Sequence, residues 1–137
     1  MTSIAATPVA QRLSPVVSDT CAVAARAADA KSGENTVILA VGDMLGITDA
    51  FVITSGRNGR QVRTIVDEVE LQVKASGGSA PLRVEGLDDA RWVLMDYGDF
   101  LVHVFVDEAR EFYDLEHLWA EAPRIAWAPA KAVSAAS

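Results

Sequence analysis

The stretch that decides the fold is residues 92–106, which read WVLMDYGDFLVHVFV. Two runs of alternating side chains flank Tyr97-Gly98, so the pattern predicts a tight β-hairpin with those two residues as its loop. Because side chains alternate between the faces of a strand, this register divides the hairpin into two sets. The apolar set, which predicts the core, is Val93, Met95, Phe100, Val102 and Val104. The mixed set, expected on the opposite face, is Trp92, Leu94, Asp96, Asp99, Leu101 and His103.

The mixed set is the candidate functional surface. In the predicted register Asp96 lies opposite Asp99, and two adjacent carboxylates repel each other unless a cation lies between them. A lysine or arginine from a partner protein would satisfy this arrangement, and Trp92 beside Leu94 would supply the aromatic anchor that protein interfaces favour. Two simpler interpretations stay open: a helix of the same chain covers this face, or Asp96 merely caps the turn.

The residues before the hairpin predict a helix and two strands. Ser14-Pro15 marks the start of a helix that ends near Gly33, because serine caps helices and proline fits their first turn. Two apolar runs, TVILAV at 36–41 and FVIT at 51–54, predict an antiparallel strand pair.

The rest of the chain completes a mixed α/β pattern. Asn58 and Gln61 predict a capping box that starts a long amphipathic helix, and residues 82–84 predict a short strand. Asp107 is expected to cap a final helix whose shared face carries Phe112, Leu115 and Trp119. The order of elements indicates a single α/β domain, a mixed β-sheet with packed helices.

Composition limits the possible functions. The 137 residues carry a net charge of −7, and the 12 basic residues are scattered, which favours a basic protein partner and little direct nucleic-acid binding. No apolar run is long enough to span a membrane and no signal peptide is evident, so we expect a cytoplasmic protein. Cys21 is the only cysteine, and His103 and His117 lack ligand spacing, so we expect no metal or other cofactor.

The chain also resembles the ribosomal silencing factor family, called the iojap-like family as well. The matching pieces stand in the family's order and spacing. They are ITDAFVI at 47–53, Ser55-Gly56, RQV at 60–62, VEG at 84–86, WVL at 92–94, DYGD at 96–99, VHVF at 102–105, Arg110, Phe112-Tyr113, Leu115-Glu116 and Leu118-Trp119. We therefore expect a flexible N-terminal arm at 1–13, the silencing factor domain at 14–120 and a flexible C-terminal tail at 121–137.

The resemblance implies a non-enzymatic function. Such a protein binds large-subunit ribosomal protein number fourteen, blocks joining of the small subunit and so represses translation when nutrients are scarce. The resemblance also implies a homodimer in the free state and a nucleotidyltransferase-like fold without the catalytic carboxylates. The family's partner-binding region carries over onto Trp92, Asp96, Tyr97 and Asp99, and further onto Leu94 and His103.

Two other functions stay open. Ser55-Gly56, between a strand and a helix, resembles the phosphate-approach turn of a nucleotidyltransferase, which holds magnesium with closely spaced carboxylates. The next acids, however, lie deep in the predicted helix, away from its start: Asp67, Glu68 and Glu70. The other alternative is a general adaptor whose mixed face binds a basic tail.

Overall fold

The hairpin supplies two of the five strands in one mixed β-sheet. The computed structural model describes residues 13–127, so the predicted arm up to residue 12 and the last ten residues lie outside the described part. The strands are β1 (Glu34–Ala40), β2 (Ala50–Gly56), β3 (Arg83–Glu85), β4 (Trp92–Asp96) and β5 (Phe100–Val106). Their order across the sheet is β1-β2-β5-β4-β3, and only β2 and β5 run parallel. The predicted β1–β2 pair and the single-domain α/β class are confirmed.

Two long helices cover one face of this sheet. The helices are α1 (Pro15–Ala30), α2 (Gly42–Leu45), α3 (Gly59–Ala75), α4 (Asp107–Tyr113) and α5 (Leu115–Leu118). The α1 helix starts as predicted, since Ser14 Oγ accepts a hydrogen bond from Val17 N at 3.2 Å. Its buried side is mostly alanine with Cys21, so it can pack closely against α3 and the sheet. None of the described helices is long and apolar enough to cross a membrane.

The start of α3 differs in one detail from the predicted capping box. Asn58 Oδ1 accepts from Gln61 N at 2.9 Å, as predicted. The Gln61 side chain does not return to Asn58, because its Oε1 accepts from Arg57 N at 2.8 Å. Its Nε2 donates to the carbonyls of Lys31 and Ser32, which join the end of α1 to the start of α3.

The predicted final helix is two short helices. Asp114 lies between α4 and α5 with φ of 47°, a left-handed conformation that interrupts the helical path. The predicted shared face was therefore wrong for Phe112, which is 79% exposed. Leu115 and Trp119 do pack together against the core.

The packed chain extends beyond the predicted boundary at residue 120. Ala40 N donates to Pro123 O, and Ile125 N donates to Ile38 O, both at 2.8 Å. Trp127 Nε1 donates to the carbonyl of Thr36 at 3.1 Å. Residues 123–127 thus cover the outer edge of β1, which would otherwise present unpaired backbone groups.

Candidate protein-docking site

The hairpin register differs by two residues from the predicted one. Trp92 pairs with Phe105, Leu94 with His103 and Asp96 with Leu101. The loop is consequently Gly98-Asp99 rather than Tyr97-Gly98, and the predicted pairing of Asp96 with Asp99 was wrong. A shift of two residues keeps every strand side chain on its predicted face, because the alternation has a period of two.

Contacts with the segment before β2 explain why the loop forms at Gly98-Asp99. Gly98 has φ of 86°, which suits glycine at the first position of a two-residue hairpin loop. Thr48 Oγ1 donates to the Gly98 carbonyl at 3.0 Å, and Asp49 N donates to the Asp99 carbonyl at 2.9 Å. These bonds hold the hairpin tip against the loop before β2.

Asp96 is satisfied within its own chain. Its Oδ1 accepts from Gly98 N at 2.8 Å, and its Oδ2 lies 3.3 Å from Arg83 Nε. The carboxylate therefore caps the turn, which was one of the two simpler interpretations, and Arg83 occupies the position predicted for a partner's cation. Asp99 is exposed at the tip, and no cation among residues 13–127 pairs with its carboxylate.

Trp92 is partly buried and held among aromatic rings. Its indole stacks on Phe105 with ring centres 5.0 Å apart and contacts Tyr113 at 4.6 Å. Its Nε1 donates to His103 Nδ1 at 3.1 Å. Tyr113 is 49% exposed, so one side of this aromatic group faces solvent.

His103 lies beneath this surface rather than on it. The residue is 5% exposed and makes a T-shaped contact with the Phe51 ring, with ring centres 4.6 Å apart. Burial penalises the charged imidazolium and lowers the pKa of His103 from 6.5 to about 4, so the ring is neutral near pH 7. Direct contact with a partner would require this part of the surface to open.

Tyr97 lies on the opposite side of the sheet from Trp92. It stacks on Phe100, with ring centres 4.7 Å apart and planes 9° from parallel. Phe100 shares its face with the apolar set that α1 and α3 cover. Burial, with a smaller contribution from the Glu70 carboxylate, raises the pKa of Tyr97 to about 12. The six predicted site residues therefore do not form one surface.

The residues that do lie together form what we call the docking patch: Trp92, Leu94, Leu101 and Tyr113. The first three share one face of paired strands and are partly buried. Phe112, in contact with Tyr113 at 5.0 Å, extends the patch into solvent. Sequence analysis named Tyr113 only as part of the family motif Phe112-Tyr113 and did not place it at the candidate site.

A buried arginine fixes the helices that carry Tyr113. Arg110 Nε and Nη2 donate to the two carboxylate oxygens of Glu116 at 3.0 and 2.9 Å. Nη1 donates to Glu34 O at 2.9 Å and Ser55 Oγ at 3.2 Å, and Nη2 donates to Asn35 O at 2.6 Å. All five guanidinium N–H groups are thus used. The bond to Arg110 is the main cause of a lowered pKa at Glu116.

Among the described residues, no carboxylates gather at the start of α3, where a nucleotidyltransferase would hold phosphates. A concavity of about 300 Å³ is lined there by cationic and neutral residues: Lys31, Ser32, Arg57, Asn58, Arg60, Gln61 and Thr64. The described lining includes no carboxylate. Across residues 13–127, no group of three or more acidic, histidine or cysteine side chains could hold a metal ion.

Known proteins share both the sequence and the fold. The family model for "Ribosomal silencing factor during starvation" matches residues 15–137. The chain belongs to the ribosomal silencing factor family. The ribosomal silencing factor RsfS of Bacillus subtilis strain 168 is 40% identical over 101 residues, which are 74% of this chain and 85% of that protein.

Two further relatives of this ribosomal silencing factor extend the picture. The crystal structure of a Chromobacterium violaceum protein has a TM-score of 0.71 at 28% identity, covering 83% of this chain and 95% of that one. The Mus musculus protein named mitochondrial assembly of ribosomal large subunit protein 1 is 31% identical over 91 residues, 65% of this chain and 40% of its own. The family predicted from short motifs is confirmed, and the similar bacterial proteins carry the name ribosomal silencing factor.

Proposed function

We propose that this ribosomal silencing factor binds the large ribosomal subunit through ribosomal protein number fourteen and prevents joining of the small subunit. It acts in the cytoplasm by occupying space, without catalysis. Family membership supports the ribosomal target. The observation that carries the docking mode is the patch of Trp92, Leu94, Leu101 and Tyr113, which remains partly open to solvent on a rigid sheet.

Aromatic anchors would supply most of the binding energy. Trp92 is fixed by its ring contacts and one hydrogen bond, so docking would order few additional side-chain rotations. Interface energy concentrates in such rigid aromatic residues, and their truncation costs about 2 kcal/mol or more. A standard interface of about 1,600 Å² is large enough to hold a competitor away from its site.

Charge would guide the approach to a basic partner. The whole chain carries a net charge of −7. At the hairpin tip, Asp99 and Asp49 are exposed beside Ile47, which is itself 79% exposed. Because Asp96 is already paired with Arg83, Asp99 is the better candidate to meet a lysine or arginine of the ribosomal protein.

Subunit joining tests the proposal directly. Purified small and large subunits are mixed with increasing amounts of the protein, and the joined fraction is measured by sedimentation. We expect the wild type to lower that fraction, and Trp92→Ala to need roughly 30 times more protein. Leu71→Ala, which truncates a 61% exposed side chain on α3, is the matched control and should act like the wild type. Full joining at saturating wild-type protein would refute the proposal.

Two charge reversals test the partner chemistry. Asp99→Lys at the hairpin tip and Asp67→Lys on α3 alter the net charge equally. We expect only Asp99→Lys to weaken binding to isolated ribosomal protein number fourteen, and to reduce the dependence of the association rate on salt. Equal effects of the two substitutions would show that overall charge, rather than the tip, governs the encounter.

Free protein is proposed to form a homodimer. The exposed aromatic and aliphatic side chains around α4 and α5, Phe112, Tyr113 and Leu118, support an apolar contact between copies. Analytical ultracentrifugation should give twice the 14.6 kDa chain mass, and Phe112→Ser should shift the equilibrium toward the single chain. A wild-type mass of one chain at high concentration would exclude the dimer.

A further inference from the structure

His103 is a polar side chain in a place that suits an apolar one. It lies on β5 with 5% of its surface exposed, beneath Trp92 and in T-shaped contact with the Phe51 ring. A buried polar group lowers stability unless its hydrogen-bonding capacity is used. The contacts of the ring therefore indicate what the histidine contributes that an apolar residue would not.

Only one of its two ring nitrogens has a partner. Nδ1 accepts from Trp92 Nε1 at 3.1 Å, so it carries no proton, and the neutral ring holds its proton on Nε2. Nε2 is buried, and nothing among residues 13–127 accepts a hydrogen bond from it. The histidine thus leaves one donor unsatisfied, and the interaction gained in return is the bond to Trp92.

We infer that His103 is a positioning residue that holds the Trp92 indole in its docking orientation by accepting the hydrogen bond from Nε1. Stacking on Phe105 and the tilted contact with Tyr113 restrict the tilt of the indole, while a hydrogen bond at its edge selects one rotation about the side-chain bonds. An anchor fixed before docking loses less conformational freedom when it binds. The inference rests on the proposed function, because it takes the docking patch as the surface that meets the large subunit.

The hydrogen bond can be tested without any ribosome. Nuclear magnetic resonance of ¹⁵N-labelled wild-type protein at pH 7 should show the His103 tautomer that is protonated on Nε2. It should also show a nitrogen–nitrogen coupling across the hydrogen bond from Trp92 Nε1 to His103 Nδ1. A proton on Nδ1, or no coupling with a mobile indole, would overturn the inference. This measurement does not depend on large-subunit binding. Absence of that binding would refute the proposed function but would leave the hydrogen bond unaffected.

A near-isosteric pair of variants tests the effect on docking. His103→Leu removes the acceptor, whereas His103→Asn keeps an oxygen close to the position of Nδ1. We expect His103→Leu to weaken large-subunit binding about two- to tenfold, the range for ordering one side chain, and His103→Asn to retain nearly wild-type affinity. Equal weakening by both variants would mean that ring packing matters and the hydrogen bond does not.

A double-variant cycle distinguishes positioning from general stability. If His103 acts through Trp92, then His103→Leu should cause no further loss of affinity once Trp92→Ala is present. An equal loss in both backgrounds would show that His103 acts independently of the indole and would overturn the inference. Binding is measured by co-sedimentation with purified large subunits, at protein concentrations where each variant gives a cooperative unfolding transition.

Discussion

Replacing Arg110 with methionine is expected to destabilise the protein strongly. Arg110 is 8% exposed, and all five N–H groups of its guanidinium donate to atoms of the protein. Methionine keeps much of the volume but removes the Arg110 donors from the Glu116 carboxylate and from the carbonyls of Glu34 and Asn35, of which the Glu34 carbonyl keeps the bond from Ser55 Oγ at 3.4 Å. Removing one partner of a buried ion pair costs about 3–5 kcal/mol, and the Glu116 side chain is 25% exposed, so we expect about 3 kcal/mol.

Urea unfolding of a variant set measures this value. Wild type, Arg110→Met, Glu116→Gln and the double variant form a cycle, whose coupling energy we expect to be about 2 kcal/mol. Arg91→Met is the control, because the Arg91–Glu108 pair is 3.5 Å apart with side chains 58% and 78% exposed. Arg91→Met should lower the free energy of unfolding by less than about 0.5 kcal/mol. A cost under about 1 kcal/mol for Arg110→Met, or additive effects in the cycle, would refute this account of how α4 and α5 are held.

Two other predictions concern pH and backbone conformation. Because the folded His103 has a pKa of about 4 rather than 6.5, the unfolded chain binds more protons between those values, and stability should fall by about 3 kcal/mol as pH drops through this range. His103→Leu should lack that part of the acid sensitivity in denaturant titrations from pH 7 to 4, and identical pH profiles would contradict the assignment. Gly98→Ala places a methyl group at a position with positive φ where there is room for it, and it should lower the free energy of unfolding by about 1 kcal/mol. Gly86→Ala should cost at least twice as much by the same assay, because its Cβ would collide with the Trp92 carbonyl; equal costs would contradict that contact.

The faces of the hairpin were predictable from sequence because they depend on strand alternation alone. Val93, Met95 and Val102 are fully buried, as their pattern indicated. The loop was not predictable in the same way, because both Tyr97-Gly98 and Gly98-Asp99 contain a glycine that suits a tight turn. Contacts some fifty residues away decide between them, since Thr48 and Asp49 bind the carbonyls of Gly98 and Asp99.

The candidate site was predictable in its aromatic part and not in its charged part. Trp92 and Leu94 lie on the expected face, because burial alternates along β4. The carboxylate of Asp96 looked available only because Arg83 lies on a strand too short to give a reliable pattern, and its pairing across β3 and β4 is a tertiary feature. The interruption between α4 and α5 at Asp114 was not predictable either, because no proline or glycine marks it and it accompanies the tertiary Arg110–Glu116 ion pair.

Two buried polar contacts maintain the exposed docking patch. Residues that do not touch the partner should therefore contribute to the affinity as well. Arg110 joins α4 and α5 to the ends of β1 and β2, and so places Tyr113 beside Trp92. His103 then holds the edge of the Trp92 indole from below. Substitutions at either buried residue should weaken docking without altering one exposed atom of the patch, because a rigid anchor binds with less ordering than a mobile one. Substitutions at exposed Leu82, by contrast, should change affinity only where the partner touches that side chain directly.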